Sequence, residues 1–550
     1  MNEARVAAPP ARNAPCPCGS GRRYKECHGA ARGGAAEWVQ RALGELQARN
    51  FAAAEASLHE ARRLAPDDAR IYANLGTVYV RQRRLADAEA PLSKALALAP
   101  EDSYVLTLLA HARQRRCAWD DLGELHARIR RLLDAGSEDA RADFNAFALL
   151  AMPTTPRQQL TAAKRYARGL AQPTPVRRPA VTFASGERLR IGFASSDFRS
   201  HATVTLMMEL WERLDRRRLD IFGYGLLPRD LGAAGQRVER AFEHFIDVSG
   251  EPTARIAQRI RDDRIGVLFD LNGYTRNARP AIFALRPAPL QVNAIGFQAT
   301  LGTPWHDYIL TDRFSLPEHL TPFYTERPLY MPHMLYPSDT TRLPPGPPPA
   351  RSACGLPEQG FVFCCFNNTY KILPDVFAVW MRLLAAVPGS VLWLLETSAE
   401  AKANLRREAG TAGIDPARLI FAARVKVGAH VARHAGADLF LDTYPYGAHT
   451  TANDALLAGL PVLTCVGDTL VSRICGSQLS AIGLPELITT SFADYEALAL
   501  KLAQDPALLQ SYRDRLVANR RTTPLFDMTR YARDFEEAMQ RIWAEYQTRP

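Results

Sequence analysis

The spacing of apolar residues changes character near residue 188, and the change divides the chain into two kinds of structure. Between about residues 36 and 121 apolar positions recur at the i, i+3, i+4 spacing of helices. The pattern also repeats: ARRLAP at 61–66 returns as ALALAP at 95–100, an offset of 34 residues, with Phe51 matched by Leu85, Ala54 by Ala88 and Ala61 by Ala95. From Arg188 onward the runs LRIGFAS, LDIFGYGL, HFIDVS, IGVLFDLNG, QVNAIGF and DYILTD alternate with helix-like stretches, the signature of a parallel α/β sheet. After a Pro-rich break at 343–360 the alternation resumes with FVFCCFNN, VLWLLE, RLIFAA, LFLDTY and PVLTCV. Two doubly wound domains joined by a linker are therefore expected, with ligand between them at the carboxyl ends of the strands.

An offset of 34 residues is the period of tetratricopeptide (TPR) helix pairs. Tyr72, Leu75, Gly76 and Tyr79 fill the first-helix positions of the best-formed unit. Roughly two to three repeats are expected over 36–121, with a capping pair that includes Cys117 and Trp119. A short array of this kind either presents a concave surface to peptides or braces a neighbouring domain, and the pattern fits both. Residues 122–180 read as a helical linker region ending in the Pro-rich QPTPVRRPA. The sheet domains are placed at 185–342 and 357–527, and a final amphipathic helix at 528–550, lying back across the first sheet.

The stretch LFLDTYPYGAHTTANDALLAGL at 439–460 goes from a strand-like run through a Pro/Gly turn into a short helix ending at Gly459. His449, Thr450 and Thr451 fall at the helix N-terminus, where a diphosphate would meet backbone N–H groups, side-chain donors and the positive dipole end. Asp454, one turn in, is placed to accept from a ribose. A purely structural capping box of Thr451 and Asp454 fits the local pattern equally well.

Composition narrows the class. Hydrophobic content of 47% and charged content of 23% are those of a soluble globular protein. The formal net charge of +10 is spread among acids without a like-charge block, so it suits anionic sugar nucleotides as well as anything else and does not argue for nucleic acid. There is no apolar run of about eighteen residues and no signal-peptide core at the start, so a cytoplasmic chain is expected. Cys117, Cys354, Cys364, Cys365, Cys465 and Cys475 form no disulfide framework.

Near the start, CPCGSGRRYKECHG offers Cys16, Cys18, Cys27 and His28, a set suited to a closed tetrahedral zinc that would staple a segment too short to fold otherwise. A disordered basic arm with reducible thiols is the plainer alternative. The segment, taken as residues 13–30, resembles the SEC-C zinc module, a partner-binding tag. That resemblance implies structural zinc and a docking role, since four protein ligands leave no open metal position.

IGFASSDFRSHATVTLM, LNGYTRNARPAIFALRPAPLQ, YMPH, FNNTYKILPDVFAVW, SVLWLLE, LDTYPYGAHTTANDALLAG and GLPVLTCVGDTLVSRICGSQL occur in this order over roughly 189–543. Together they resemble the O-linked N-acetylglucosamine transferase and SPINDLY family. The resemblance implies the GT-B glycosyltransferase architecture. On the donor side it places Asn368 and Lys371 near the diphosphate, His430 and Arg433 near base and phosphates, and His449, Thr450, Thr451 and Asp454 at phosphate and ribose. Lys371 would neutralise charge on the departing diphosphate. Facing them, His201 matches the family's active-site histidine, and Gly273, Tyr274 and Thr275 would line the acceptor mouth. His434, Arg279 and Arg286 read as structural.

Three departures qualify the match. A family lysine near the uridine aligns with Val427, with Lys426 one position off. A histidine proposed as general base aligns with Gly266, leaving Asp263, Asp270, His201 or water. GFQAT at 296–300 stands where the family shows GYPGT. No Asp-X-Asp pair follows a strand, which agrees with transfer without a catalytic metal. The expectation is an inverting transfer of N-acetylglucosamine from UDP-GlcNAc to serine or threonine of protein acceptors selected through the TPR surface. Transfer of fucose from GDP-fucose, of glucose from UDP-glucose to asparagine, or a noncatalytic TPR and zinc scaffold are the alternatives.

Overall fold

The computed structural model describes residues 13–14, 23, 33–135, 144–170, 176–184, 186–342 and 347–548. Cys16, Cys18, Cys27 and His28, the expected zinc ligands, lie outside the described residues. The chain divides into two compact units, Met1–Ala148 and Leu149–Pro550.

Among the described residues, the long helices of the first unit form three successive pairs: Gly33–Gln47 with Phe51–Leu64, Ala69–Arg81 with Leu85–Leu98, and Ser103–Arg116 with Leu122–Asp134. Asn50, Asp68 and Asp102 start the second, third and fifth helices by accepting from backbone N–H groups in the first turn, where a short polar side chain replaces the missing helical acceptor. At Gly76 a Cβ would lie 2.3 Å from Leu92 Cδ2, so the middle pair can pack this closely only over glycine. Cys117 ends the fifth helix in the left-handed region at φ 51°, and the expected capping segment forms the third pair.

The second unit carries two parallel sheets. The first comprises β1 Leu189–Ser195, β2 Leu219–Gly225, β3 His244–Asp247, β4 Val267–Asp270, β5 Leu290–Asn293, β6 Tyr308–Asp312 and β7 Arg327–Met331, in the order β3-β2-β1-β4-β5-β6-β7. The second comprises β8 Val362–Cys365, β9 Val391–Leu395, β10 Leu419–Ala422, β11 Leu439–Leu441, β12 Val462–Cys465 and β13 Ile488–Thr489, ordered β10-β9-β8-β11-β12-β13. Each sheet reverses direction beside its first strand, between β1 and β4 and between β8 and β11, the arrangement that opens a crevice at the carboxyl ends. Periodicity does not announce β7 and β13: β7 carries Pro328 on a sheet edge, where a missing N–H is tolerated, and β13 is too short to show alternation.

The helix Met528–Gln547 returns to the first sheet. Its Phe535 ring lies 5.5 Å from Phe269 and 6.5 Å from Phe193, and Trp543 lies 5.2 Å from Phe183. The two sheet domains are joined directly as well, with Ser477 Oγ donating to Asp312 Oδ2 at 2.8 Å and Arg473 Nε to Phe314 O at 2.8 Å. No helix among the described residues is long and apolar enough to cross a membrane.

Candidate active site

On the second sheet, Asn367 follows β8 and Asp442 follows β11, so the reversal point brings them side by side. Asn367 Nδ2 donates to Asp442 Oδ1 at 3.2 Å and Thr443 Oγ1 at 2.7 Å, while its Oδ1 accepts from Thr451 Oγ1. Asp442 is 1% exposed and also accepts from Thr443 N at 2.7 Å, Ala448 N at 2.6 Å and Thr464 Oγ1 at 2.7 Å. Burial raises its pKa on balance, against the opposing pull of Thr464, the Ala448 and Thr443 N–H groups and Lys371. One carboxylate thus shapes the whole turn from 442 to 448.

Lys371 closes the 3-10 turn Thr369–Lys371. Its Nζ donates to Gly447 O at 2.8 Å and sits 3.8 Å from the Tyr446 ring centroid, a face that attracts a cation. Burial lowers its pKa to about 8, with Asp442 opposing the shift. The ammonium is therefore fixed beside the helix Thr450–Ala458. No side chain caps that helix, so its positive end remains available to an anion. The capping-box reading is thereby overturned: Thr451 bonds Asn367, and Asp454 pairs with Arg342.

His449 faces inward. Its Nε2 is 3.2 Å from Val471 O and its Nδ1 3.4 Å from Tyr336 OH, and burial holds its pKa well below the usual histidine range. A phosphate contact through this ring is not supported by the geometry; the neutral imidazole anchors the helix start instead. Thr450 and Asn368 are half-buried nearby. His430 and Arg433 meet as expected for one helix face, Arg433 Nη2 lying 2.6 Å from His430 Nδ1. His430 Nε2 in turn lies 3.8 Å from Asp454 Oδ2. Burial lowers the His430 pKa strongly, followed by the neighbouring His434 and Arg433. His434 is wholly buried, with Nδ1 2.8 Å from His430 O.

On the first sheet, His201 precedes the helix Ala202–Arg213 and caps it, Thr203 N donating to its Nδ1 at 3.3 Å. Its side chain is 47% exposed and lies 3.7 Å from Asp197 Oδ2. Asn272 ties this loop to the one after β4, donating to Asp197 Oδ2 at 2.6 Å and accepting from Ser196 N at 2.7 Å. Asp270 Oδ1 accepts from Asn272 N at 2.9 Å and Gly273 N at 2.8 Å. Gly273 has φ +56°, and a Cβ there would lie 2.5 Å from Phe297 Cβ. Tyr274 does not reach an acceptor mouth through its hydroxyl: it is buried between Tyr166 and Phe297 and donates to Leu301 O at 2.5 Å. Thr275 is half-buried, with Oγ1 3.3 Å from Asn272 Nδ2.

One general-base candidate, Asp263, falls away, and the glycine at the family's base position is explained by packing. Gly266 precedes β4 at the amino end of the sheet, and a Cβ there would lie 2.9 Å from Leu189 Cδ1 and 3.1 Å from Trp543 Cζ3. Asp263 is at the same end, accepting from Tyr224 OH at 2.8 Å. Only His201 and Asp270 remain at the carboxyl ends. The GFQAT loop is held by the buried Glu326, which accepts from Thr300 Oγ1 and Leu301 N, both at 2.6 Å. Arg279 and Arg286 serve backbone carbonyls and Asp307, as structural arginines do.

The profile of Glycosyl transferase family 41 matches residues 169–345 and 349–535, the two sheets and the crevice residues between them. The chain belongs to this family. A SEC-C motif matches 12–30 and a tetratricopeptide repeat 45–112. A probable UDP-N-acetylglucosamine–peptide N-acetylglucosaminyltransferase SEC of Arabidopsis thaliana is 35% identical over 455 residues, 79% of this chain and 46% of its own length. The UDP-N-acetylglucosamine–peptide N-acetylglucosaminyltransferase of Caenorhabditis elegans is 29% identical, covering 66% of this chain and 41% of its own length. The chain thus spans about half the length of the curated relatives it matches. Among solved structures, a mutant of the Thermobaculum terrenum O-GlcNAc transferase superposes with a TM-score of 0.75 at 26% identity, covering 94% of this chain and 98% of that one. The GT-B fold of this family-41 chain is thereby established.

Asn367, Asp442, Asp197 and Asn272 are the working residues that motif matching passes over. Asp442 directly follows a buried strand, and Asn367, Asp197 and Asn272 each lie two residues past the end of one, where a polar side chain stands at the sheet end. That placement is the signal by which they are recognisable.

Proposed function

We propose that this chain transfers N-acetylglucosamine, with inversion, from UDP-GlcNAc to a serine or threonine hydroxyl of a protein acceptor. The observation that carries the reading is the buried Lys371 ammonium, fixed against Gly447 O and the Tyr446 ring beside an uncapped helix N-terminus, in a chain of family 41. The names borne by its relatives support the same donor and acceptor class.

In the reaction the acceptor oxygen bonds to the sugar C1 as the bond from C1 to the diphosphate oxygen breaks, and UDP leaves with the electron pair. Lys371 and the N–H groups at Thr450 and Thr451 meet the charge that develops on that oxygen. Because His201 Nδ1 accepts from Thr203 N, Nε2 is the ring nitrogen that carries a proton. It is then a donor toward the leaving anion, and the acceptor proton departs through water. No step calls on a catalytic metal.

The thiolates of Cys16, Cys18 and Cys27 with the His28 imidazole hold a structural zinc, which suits a reducing, cytoplasmic setting. The module docks a protein partner, and the TPR pairs contribute to acceptor choice. Calorimetry with UDP, UDP-GlcNAc, UDP-glucose and GDP-fucose tests the donor assignment. Selective binding of UDP and UDP-GlcNAc is expected; preference for GDP-fucose or UDP-glucose reassigns the sugar, and binding of none leaves a scaffold.

A further inference from the structure

The last residue of the first sheet domain, where the chain leaves for the second, is an arginine with no role in the steps above. Arg342 ends the 3-10 turn Thr340–Arg342, and its guanidinium is spread over the donor helix. Nε donates to Asp339 O at 2.8 Å, Nη2 to Asn453 Oδ1 at 2.7 Å, and Nη1 pairs with Asp454 Oδ1. The Arg342 and Asp454 side chains are only 5% and 8% exposed. The second carboxylate oxygen faces His430 Nε2 at 3.8 Å. Since Arg433 donates to His430 Nδ1 at 2.6 Å, the nitrogen toward Asp454 carries the ring proton. Asp454 is thus held by Arg342 through one oxygen, while the other stands 3.8 Å from that ring nitrogen, beyond hydrogen-bond distance. Arg342 also fixes the Asn453 amide, whose Oδ1 takes both Arg342 and Ser338 Oγ, the latter at 2.7 Å. Asn453 Nδ2 is left as a buried donor without a hydrogen-bond partner among the described residues.

The turn that delivers Arg342 is itself held by the first sheet domain. Thr340 N and Oγ1 donate to Glu209 Oε2 at 2.8 and 2.7 Å, and Arg237 Nη1 pairs with Asp339 Oδ2 at 2.6 Å. Glu209 lies on the helix that His201 caps. Ser477 with Asp312 and Arg473 with Phe314 already join the two domains, so a buried, fully engaged guanidinium is an expensive and redundant fastener. Its geometry makes better sense as orientation of the groups it touches.

We propose that Arg342 is a positioning residue of the donor site: it engages one oxygen of Asp454 and so presents the other, with Asn453 Nδ2 alongside, to the hydroxyls of the donor ribose. The proposal rests on the UDP-sugar reading and deepens it. A buried guanidinium locks the carboxylate in one plane, as a flexible ammonium would not.

The full chain and its Arg342→Gln and Arg342→Lys variants are titrated with UDP and with 2′,3′-dideoxy-UDP, using competition where binding is weak. Wild-type protein is expected to prefer UDP by about tenfold or more, the effect of leaving a site's polar groups unpaired. In Arg342→Gln the preference collapses toward about one, and Arg342→Lys is intermediate. A merely structural role weakens both ligands together and leaves the ratio unchanged in either variant, which overturns the proposal. A wild-type ratio near one overturns it while the donor reading stands. Wild-type protein that binds neither ligand removes the donor reading itself, and this proposal with it. Should Arg342→Gln fail to fold, the Arg342→Lys ratio decides.

Discussion

The two reversal points share a topology and differ in what they bury. Beside β8 and β11 the buried groups are charged: Lys371, Asp442, Asp454, Arg342 and Arg433, each hydrogen-bonded to another side chain or to loop backbone. Beside β1 and β4 they are mainly rings and backbone: Tyr274 packs between Phe297 and the half-buried Tyr166, while Asp270 and Glu326 receive loop N–H groups. In the proposed reaction the diphosphate is the same in every turnover, so its site can be built from fixed charges placed before it arrives. A polypeptide acceptor varies in sequence but always offers a backbone, and a loop frame defined by shape suits it. The comparison predicts that substitutions beside β8 and β11 act on donor binding and chemistry, and substitutions beside β4 on acceptor use.

The largest effect is expected at Lys371. Lys371→Ala should lower kcat for transfer by about 100-fold or more, the range for removing one fixed donor to a developing anion, and should weaken UDP binding. Lys371→Arg should not rescue it, because the slot between Gly447 O and the Tyr446 ring fits a point charge and not a planar fork. Next comes pH. The lysine pKa is lowered to about 8, so the ammonium is present below that value and lost above it. UDP affinity should hold below about pH 8 and fall by up to about tenfold per unit above it. Calorimetry above pH 8 in buffers of different ionisation enthalpy should register proton uptake on binding. Burial keeps His430 and His449 neutral, so neither should add an acid limb between about pH 5 and 8.

What was legible in the sequence follows the same division. The alternation of strands and helices in two doubly wound domains, and the last helix lying across the first sheet, can be anticipated, because periodicity encodes them. The partners of the buried charges cannot. Arg342 lies 112 residues from Asp454 and Asn367 lies 84 from Thr451, and such pairings exist only after both sheets close. His449 looked like a phosphate donor because a helix start is where donors gather. Its neighbours Tyr336 and Val471, remote in sequence, turn it inward. Gly266 was unreadable for the opposite reason: its significance lies in the Trp543 ring against it, brought there by the last helix.

On the acceptor side a smaller and more selective effect is expected from Gly273→Ala. A side chain at φ +56°, with Cβ 2.5 Å from Phe297 Cβ, costs about 1–3 kcal/mol of local strain, and the loop after β4 must shift. Steady-state kinetics should show a raised KM for the peptide acceptor with UDP binding unchanged. Equal loss of UDP affinity would mean that the two reversal points are mechanically one site.

The smallest effect separates the frame from its contents. Tyr274→Phe removes a single buried hydrogen bond and leaves Leu301 O without its donor, at a cost of about 1–3 kcal/mol. The ring contacts with Tyr166 and Phe297, at 4.1 and 5.2 Å, remain. If the hydroxyl only ties the loop after β4 to the 300–302 segment, Tm should fall slightly and kcat should change by less than about threefold. If Tyr274 instead handled the acceptor proton, kcat would fall far more than stability, and the acceptor side would have to be counted as chemical machinery like the donor side. The inward hydroxyl, already spent on a carbonyl, favours the first outcome.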